Sequence, residues 1–307
     1  MGHLDHAAYG WLTPALSYVM ASIGAALGLR CTVRALAATG ASRRNWLLTA
    51  ASAIGTGIWT MHFIAMLGFH VTGTEIHYDV PTTLLSLLVA MAVVGAGVFA
   101  VGYGKDRRRS LVLGGLTTGL GVASMHYLGM AALRLHGRIE YDPLTVGLSV
   151  AIAVVAATAA LWAALNISSP LAVAVASLVM GVAVSSMHYT GMTAVAVRVM
   201  PSDAGLPGAT AMQFIFPLAV GLGSYLFITA AFVALSPTAD GRTVPASRRA
   251  ASARASAPGA PAPAAAARGS DAGSGRGFGP GSGAGTRPRS GSAPAARRLG
   301  EGTVPSR

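Results

Sequence analysis

Histidine and methionine recur together in three apolar segments of the chain. His62, His126 and His188 are 64 and 62 residues apart, and each follows a methionine directly and precedes another by four residues. The six methionines are Met61, Met66, Met125, Met130, Met187 and Met192. Residues four apart share one face of a helix, imidazole binds several transition metals, and thioether sulfur favours Cu(I). The pattern predicts a transition-metal site formed by a subset of these nine side chains, and the thioethers favour Cu(I) among the candidates.

A second interpretation assigns these residues to packing. Neutral histidines would form hydrogen bonds between helices, and the methionines would fill gaps in the core. One isolated His-Met pair favours this interpretation. The threefold recurrence at equivalent positions favours the metal site instead, because ionisable residues inside a membrane are usually functional.

The segments that position these residues are long and apolar. Hydrophobic residues make up 53% of the 307 and charged residues 10%, whereas an ordinary soluble domain carries about 25% charged residues. A helix of about 20 apolar residues crosses a bilayer. Seven stretches meet that requirement, at 11–29, 45–68, 80–102, 111–133, 144–165, 171–196 and 212–235. The sequence therefore predicts an all-α polytopic membrane protein of seven transmembrane helices, built from three two-helix repeats plus one.

The basic residues of the short loops predict the orientation in the cell membrane. The loops after the first and third helices contain Arg30, Arg34, Arg43, Arg44, Lys105, Arg107, Arg108 and Arg109. The opposite side has only Arg134, Arg138 and Arg198. We expect the amino terminus outside and the carboxyl terminus in the cytoplasm.

The composition changes after the seventh segment. Residues 1–236 are predicted to form the integral membrane domain, and residues 237–307 a basic tail rich in Ala, Gly, Pro, Ser and Arg. Such a tail has too few apolar residues to form a core, so we expect it to be disordered in the cytoplasm. Its charge favours contact with the anionic lipid bilayer, and no nucleic-acid partner is expected.

The three motifs resemble a known family. Met187-His188-Tyr189-Thr190 matches the signature of the MHYT domain, and Met125-His126-Tyr127-Leu128 and Met61-His62-Phe63-Ile64 are similar to it. The resemblance covers about residues 9–235 and implies a bacterial membrane sensor that binds copper near the outer face. It also implies a diatomic gas as ligand, namely oxygen, carbon monoxide or nitric oxide. Because the tail contains no recognisable output module, we expect signalling through a separate cytoplasmic protein.

Two alternatives remain open: a redox protein that binds haem b through paired motif histidines, and a transporter for copper or a small solute. An enzyme is not expected, because the sequence shows no nucleophile-base arrangement and no phosphate-binding loop. A retinal protein is excluded because the only lysine, Lys105, lies in a loop. An acid follows each motif, at Asp79, Asp142 and Asp203, and these acids are candidates to orient the histidines. The glycines that precede each histidine are expected to allow close helix packing.

Overall fold

The fold is known from a computed structural model that describes residues 4–5, 10–200, 202 and 204–236. The helices are α1 (Leu12–Ala37), α2 (Gly40–Leu67), α3 (Val80–Tyr103), α4 (Arg107–Ala131), α5 (Pro143–Asn166), α6 (Pro170–Thr193) and α7 (Phe216–Leu235). A π-helical turn, Ala211–Ile215, leads directly into α7. Within these described residues, seven helices are long and apolar enough to cross a membrane, which confirms the predicted fold class. The predicted tail, His3, His6 and Asp203 lie outside the described residues.

The first two helices extend beyond their predicted apolar segments. Helix α1 continues to Ala37, and α2 begins at Gly40, so that only two residues connect them. Arg30 and Arg34, predicted to lie in a loop, belong to the last turns of α1. Hydropathy marks the part of a helix that crosses the membrane, whereas arginine is a good helix former and prolongs the helix into the polar region.

Six helices close into a ring. Each helix from α1 to α6 packs against the next, α6 packs back against α1, and α7 lies outside the ring against α1 and α2. Equivalent glycines make the contacts between repeats: Gly55 abuts Met91 of α3, Gly119 abuts Val154 of α5, and Gly181 abuts Ser22 of α1. The predicted close-packing role of these glycines is confirmed, and the ring has approximate threefold symmetry.

The outer surface of the helices is apolar. Leu88, Val155 and Phe227 are 60%, 69% and 75% exposed, on α3, α5 and α7 respectively. The motif histidines are buried in the interior instead. An apolar exterior, with the ionisable histidines turned to the interior, is the arrangement expected of helices surrounded by lipid.

Short antiparallel strands join the helices at one end of the ring, called here the strand end. They are β1 (Leu4–Asp5), β2 (His70–Val71), β3 (His77–Tyr78), β4 (Leu133–Arg134), β5 (Gly137–Tyr141), β6 (Val195–Val199) and β7 (Ala209–Thr210). They pair as β1–β2, β4–β3–β7 and β5–β6. The sequence analysis did not predict them. At the opposite end, called the short-loop end, residues 38–39, 104–106 and 167–169 connect the helices.

The acids that follow the motifs begin helices at the strand end. The Asp79 carboxylate accepts a hydrogen bond from the Thr82 backbone N–H at 3.0 Å, and Asp142 accepts one from Thr145 at 2.8 Å. Hydrogen bonds from the Thr82 side chain and backbone lower the pKa of Asp79, and the pKa of Asp142 is lowered in the same way by Thr145. Asp79 also pairs with Arg134 at 3.4 Å. The prediction that these two acids orient the motif histidines is therefore wrong: they are N-caps, which satisfy the free N–H groups of the first helical turn.

Candidate metal centre

The three motif histidines lie at the same depth in the ring. His62, His126 and His188 each stand five residues before the last residue of α2, α4 and α6. At 1.5 Å per residue, this places each about 7 Å inside the strand end of its helix. Each of the three repeats thus contributes one imidazole to one layer.

The imidazoles meet on the axis of the ring. The Nδ1 atoms of His62 and His188 are 3.0 Å apart, those of His62 and His126 are 3.2 Å apart, and those of His126 and His188 are 3.3 Å apart. All three side chains are at most 1% exposed. The centre of this triangle is about 1.8 Å from each nitrogen, close to the 2.0–2.1 Å of a zinc–imidazole bond.

Hydrogen bonds alone cannot satisfy this triangle. Each Nδ1 is either a protonated donor or a bare acceptor. With three mutually contacting atoms and two states, at least one pair must be donor–donor or acceptor–acceptor. Such a pair is repulsive, and in a buried site it is not relieved by water. A cation at the centre removes the conflict, because all three nitrogens then act as acceptors.

The aromatic residue that follows each histidine supports the imidazole ring. Phe63, Tyr127 and Tyr189 each place their ring nearly perpendicular to the adjacent imidazole, with centroids 4.6, 4.8 and 5.0 Å apart. The Tyr127 hydroxyl also forms a 2.6 Å hydrogen bond with Ser149 of α5. No role was predicted for this motif position. Its signal was the recurrence of Phe, Tyr and Tyr directly after the histidines.

Two further motif residues make room for the imidazoles. A Cβ atom at Gly129 would lie 2.5 Å from Nε2 of His62, and one at Gly191 would lie 2.6 Å from Nε2 of His126. Within the described part of the chain, the buried Nε2 atoms of His62 and His126 have no hydrogen-bond partner. Packing against a glycine therefore holds these rings where a hydrogen bond commonly would. Neither glycine was predicted to contact a histidine. The first motif has Ala65 at this position.

All six motif methionines are buried, none more than 2% exposed. Met187 lines an apolar cavity inside the ring, and Met130 lines an open pocket at the strand end. The potential ligand atoms that converge are those of the three histidines. Among the described residues, no other group of three or more His, Cys, Asp or Glu side chains has metal-binding spacing. Metal ligation by the methionines stays a prediction.

The other described histidines belong to the strand end. His70 is exposed in β2, His77 pairs with Glu75 at 3.5 Å, and the His136 backbone N–H donates to Thr74. Cys31 is fully buried among apolar side chains of α1, α2 and α7, as expected of a residue with no part in the site.

Fold and site together define a multi-pass membrane protein with three two-helix repeats around a central three-histidine cluster. Residues 55–114 and 119–177 match the family model MHYT, described as a bacterial signalling protein N-terminal repeat. These segments therefore match two MHYT repeats, in agreement with the resemblance noted in the sequence.

Curated relatives are signalling proteins. The chain is 41% identical over 191 residues to the bifunctional diguanylate cyclase/cyclic di-GMP phosphodiesterase MucR of Pseudomonas aeruginosa, covering 61% of this chain and 28% of MucR. It is 37% identical over 170 residues to the cyclic di-GMP phosphodiesterase NbdA of the same species, covering 53% of this chain and 21% of NbdA. The signaling protein YkoW of Bacillus subtilis is 28% identical over 259 residues, 80% of this chain and 31% of YkoW. The chain thus spans less than a third of the length of these relatives. No solved structure matches it.

Proposed function

We propose that this membrane signalling protein is a sensor whose histidines His62, His126 and His188 together hold one copper ion. The convergence of three buried Nδ1 atoms within 3.0–3.3 Å of one another carries this proposal. Three imidazoles packed this closely, with no carboxylate in the group, match the preference of late transition metals over Mg²⁺ or Ca²⁺. The methionines that flank each histidine in the sequence offer soft thioether sulfur, a ligand that favours Cu(I).

The site lies near the outer membrane face in this proposal. Arg30, Arg44, Lys105 and Arg107 lie at the short-loop end, as the ends of their helices require. Basic residues are retained on the cytoplasmic side. The strand end therefore faces outward, and the histidine layer lies about one and a half helical turns below it.

The proposed sensing role rests on this metal site and on the similarity to signalling proteins. Copper(I) held by His62, His126 and His188 would supply a binding position for a diatomic gas such as oxygen, carbon monoxide or nitric oxide. The chain's own residues hold the three imidazoles and exclude water; a cation at the centre would require all three Nδ1 atoms to be acceptors. MucR and NbdA bear names that assign cyclic di-GMP synthesis or hydrolysis to those proteins. We propose that this chain is itself not an enzyme and passes its signal to a separate cytoplasmic protein.

The geometry argues against a haem site at the histidines. Haem held by two histidines needs them on opposite sides of a flat macrocycle. The motif imidazole centroids are only 4.9–5.1 Å apart, with the Nδ1 atoms in contact, so no macrocycle fits between them.

The interior also argues against a transport path. The cavity on the short-loop side of the histidines is lined by apolar residues, with Thr118 as the one hydroxyl in its wall. A cation crossing the membrane needs polar groups at successive depths, and this layer of the ring does not provide them.

Metal analysis and an optical spectrum of the purified full chain test the proposal. We expect one copper per chain after loading under reducing conditions, with no Soret band. A His136→Ala variant is the matched control, because His136 lies outside the cluster, and it should retain the copper. A Soret band after expression with haem available, or the absence of stoichiometric metal, would contradict the proposal.

A further inference from the structure

An apolar cavity of about 50 Å³ lies inside the ring, on the short-loop side of the histidines. Residues at equivalent positions of the three motif helices line it. Ile58, Val122 and Val184 stand four residues before the three histidines, and Ile54, Thr118 and Met180 stand eight before. Four residues correspond to about 6 Å along a helix. The cavity therefore begins about one turn below the histidine layer.

Alanines of α5 leave the cavity open. Ala153, Ala156, Ala157 and Ala160 form one wall. Asp79 and Asp142 cap α3 and α5 equivalently, so that Ala157 corresponds to Val94 in the preceding repeat. Alanine therefore stands on α5 where α3 carries valine. The missing side-chain volume accounts for the cavity.

The volume and the lining decide what the cavity can hold. One water molecule needs about 10–15 Å³ of such space, and a cavity of about 150 Å³ holds benzene. The cavity volume of about 50 Å³ lies between these values. Water needs two to four polar partners, and the one hydroxyl of the wall, Thr118, already lies 3.5 Å from the Val93 carbonyl. A small nonpolar molecule fits both the volume and the chemistry.

We propose that this cavity is a binding site for one small nonpolar molecule of about the size of xenon or dioxygen. Nonpolar molecules concentrate in the hydrocarbon core of a membrane because they leave water favourably. The cavity lies at that depth and is lined by Met187, the neighbour of His188. A guest there approaches the histidine layer from the apolar side, away from the strand-end surface.

The biological identity of the guest, a diatomic gas, rests on the proposed function. The existence of the site does not, because apolar walls bind an inert probe with or without a metal. Xenon binding to the metal-free chain therefore tests the cavity separately from the copper proposal.

The experiment uses the full chain in lipid nanodiscs or crystals under xenon pressure. Xenon NMR and anomalous scattering should show one saturable site bounded by Ile58, Val122 and Ala157. The Ala157→Leu variant adds a side chain that fills the cavity and should lose this site. The control Ala159→Leu makes the same change at a position exposed on the outside of α5, so it should bind xenon as the native chain does.

A second filling variant keeps the test decisive. Ala157→Val introduces the residue that α3 carries at Val94 and should weaken xenon binding even if Ala157→Leu fails to fold. No saturable xenon in the native chain, unchanged binding in the filling variants, or a lipid acyl chain occupying the space would overturn the proposal. None of these results would bear on whether the histidines bind copper.

Discussion

Replacing Gly129 by alanine should disturb the metal centre without touching a ligand. An ideal Cβ at this position lies 2.5 Å from Nε2 and 3.0 Å from Cδ2 of His62, and 3.3 Å from Cζ of Phe63. Ordinary contacts begin at 3.4 Å. The imidazole of His62 must therefore move by about 0.9 Å, or α2 and α4 must separate by a similar distance.

This displacement is large for a site of these dimensions. The Nδ1 triangle has sides of only 3.0–3.3 Å, and binding sites tolerate about 0.5 Å of ligand displacement. Changes in the residues that orient metal ligands typically lower affinity by about 10–100-fold. Alanine is a better helix former than glycine by about 1 kcal/mol. The variant should therefore retain its helices while copper affinity falls by that factor.

Competition with a Cu(I) chelator on the full chain in detergent measures the effect. Gly191→Ala should behave like Gly129→Ala, because its Cβ would meet His126. The matched control is Gly147→Ala in α5, where a Cβ would meet nothing within 4 Å. If Gly129→Ala and Gly191→Ala bind Cu(I) as tightly as Gly147→Ala, the packing of glycine against imidazole does not position the site.

Three further predictions concern orientation, pH and packing. A reporter that is active only outside the cytoplasm should work when fused after Gly73 and fail after Lys105, and the reverse result would place the metal centre near the inner face. Hydrogen bonds from Thr145 lower the pKa of Asp142 below its ordinary 3.8. The ionised Asp142 carboxylate therefore stabilises the fold fully above that value, and this stabilisation is lost as the pH falls through the lower folded-state pKa. Asp142→Asn should lower the melting temperature by a constant amount from about pH 5 to 7, and the difference from the native chain should shrink below about pH 4. Tyr127→Phe removes the hydrogen bond to Ser149 and should cost about 1 kcal/mol of stability, seen as a lower melting temperature. Copper affinity should stay within twofold, because the aromatic ring beside His126 remains. A large loss of copper would show that the hydroxyl acts on the site.

Much of this architecture follows from patterns that the sequence displays directly. Seven apolar segments, three repeats and a histidine on each even-numbered helix are visible because lipid imposes length and composition on every spanning helix. The convergence of the three imidazoles was a reasonable expectation, since equivalent positions in symmetric repeats must lie around one axis. The identity of Nδ1 as the inward atom was not predictable, because it depends on the rotamer of each histidine.

The features that the sequence did not predict correctly are those whose local pattern allows more than one interpretation or that depend on contacts between distant segments. Asp79 and Asp142 were interpreted as partners of the histidines, although each is followed by a proline within two residues and a threonine three residues later, a helix-start pattern. Nothing in the sequence distinguishes Gly129 and Gly191, which make room for an imidazole ring, from glycines that only allow close helix packing. The cavity depends on Ala157 facing Ile58 across the ring, a contact between distant segments that no local pattern encodes.

The copper content of three single variants tests the central claim most directly. If one ion is shared, His62→Ala, His126→Ala and His188→Ala should each lose the copper, by more than the roughly 10–100-fold of a change outside the ligand set, while His136→Ala keeps it. Full copper occupancy in all three motif variants would contradict the shared site and leave the histidines as packing residues of the helix ring.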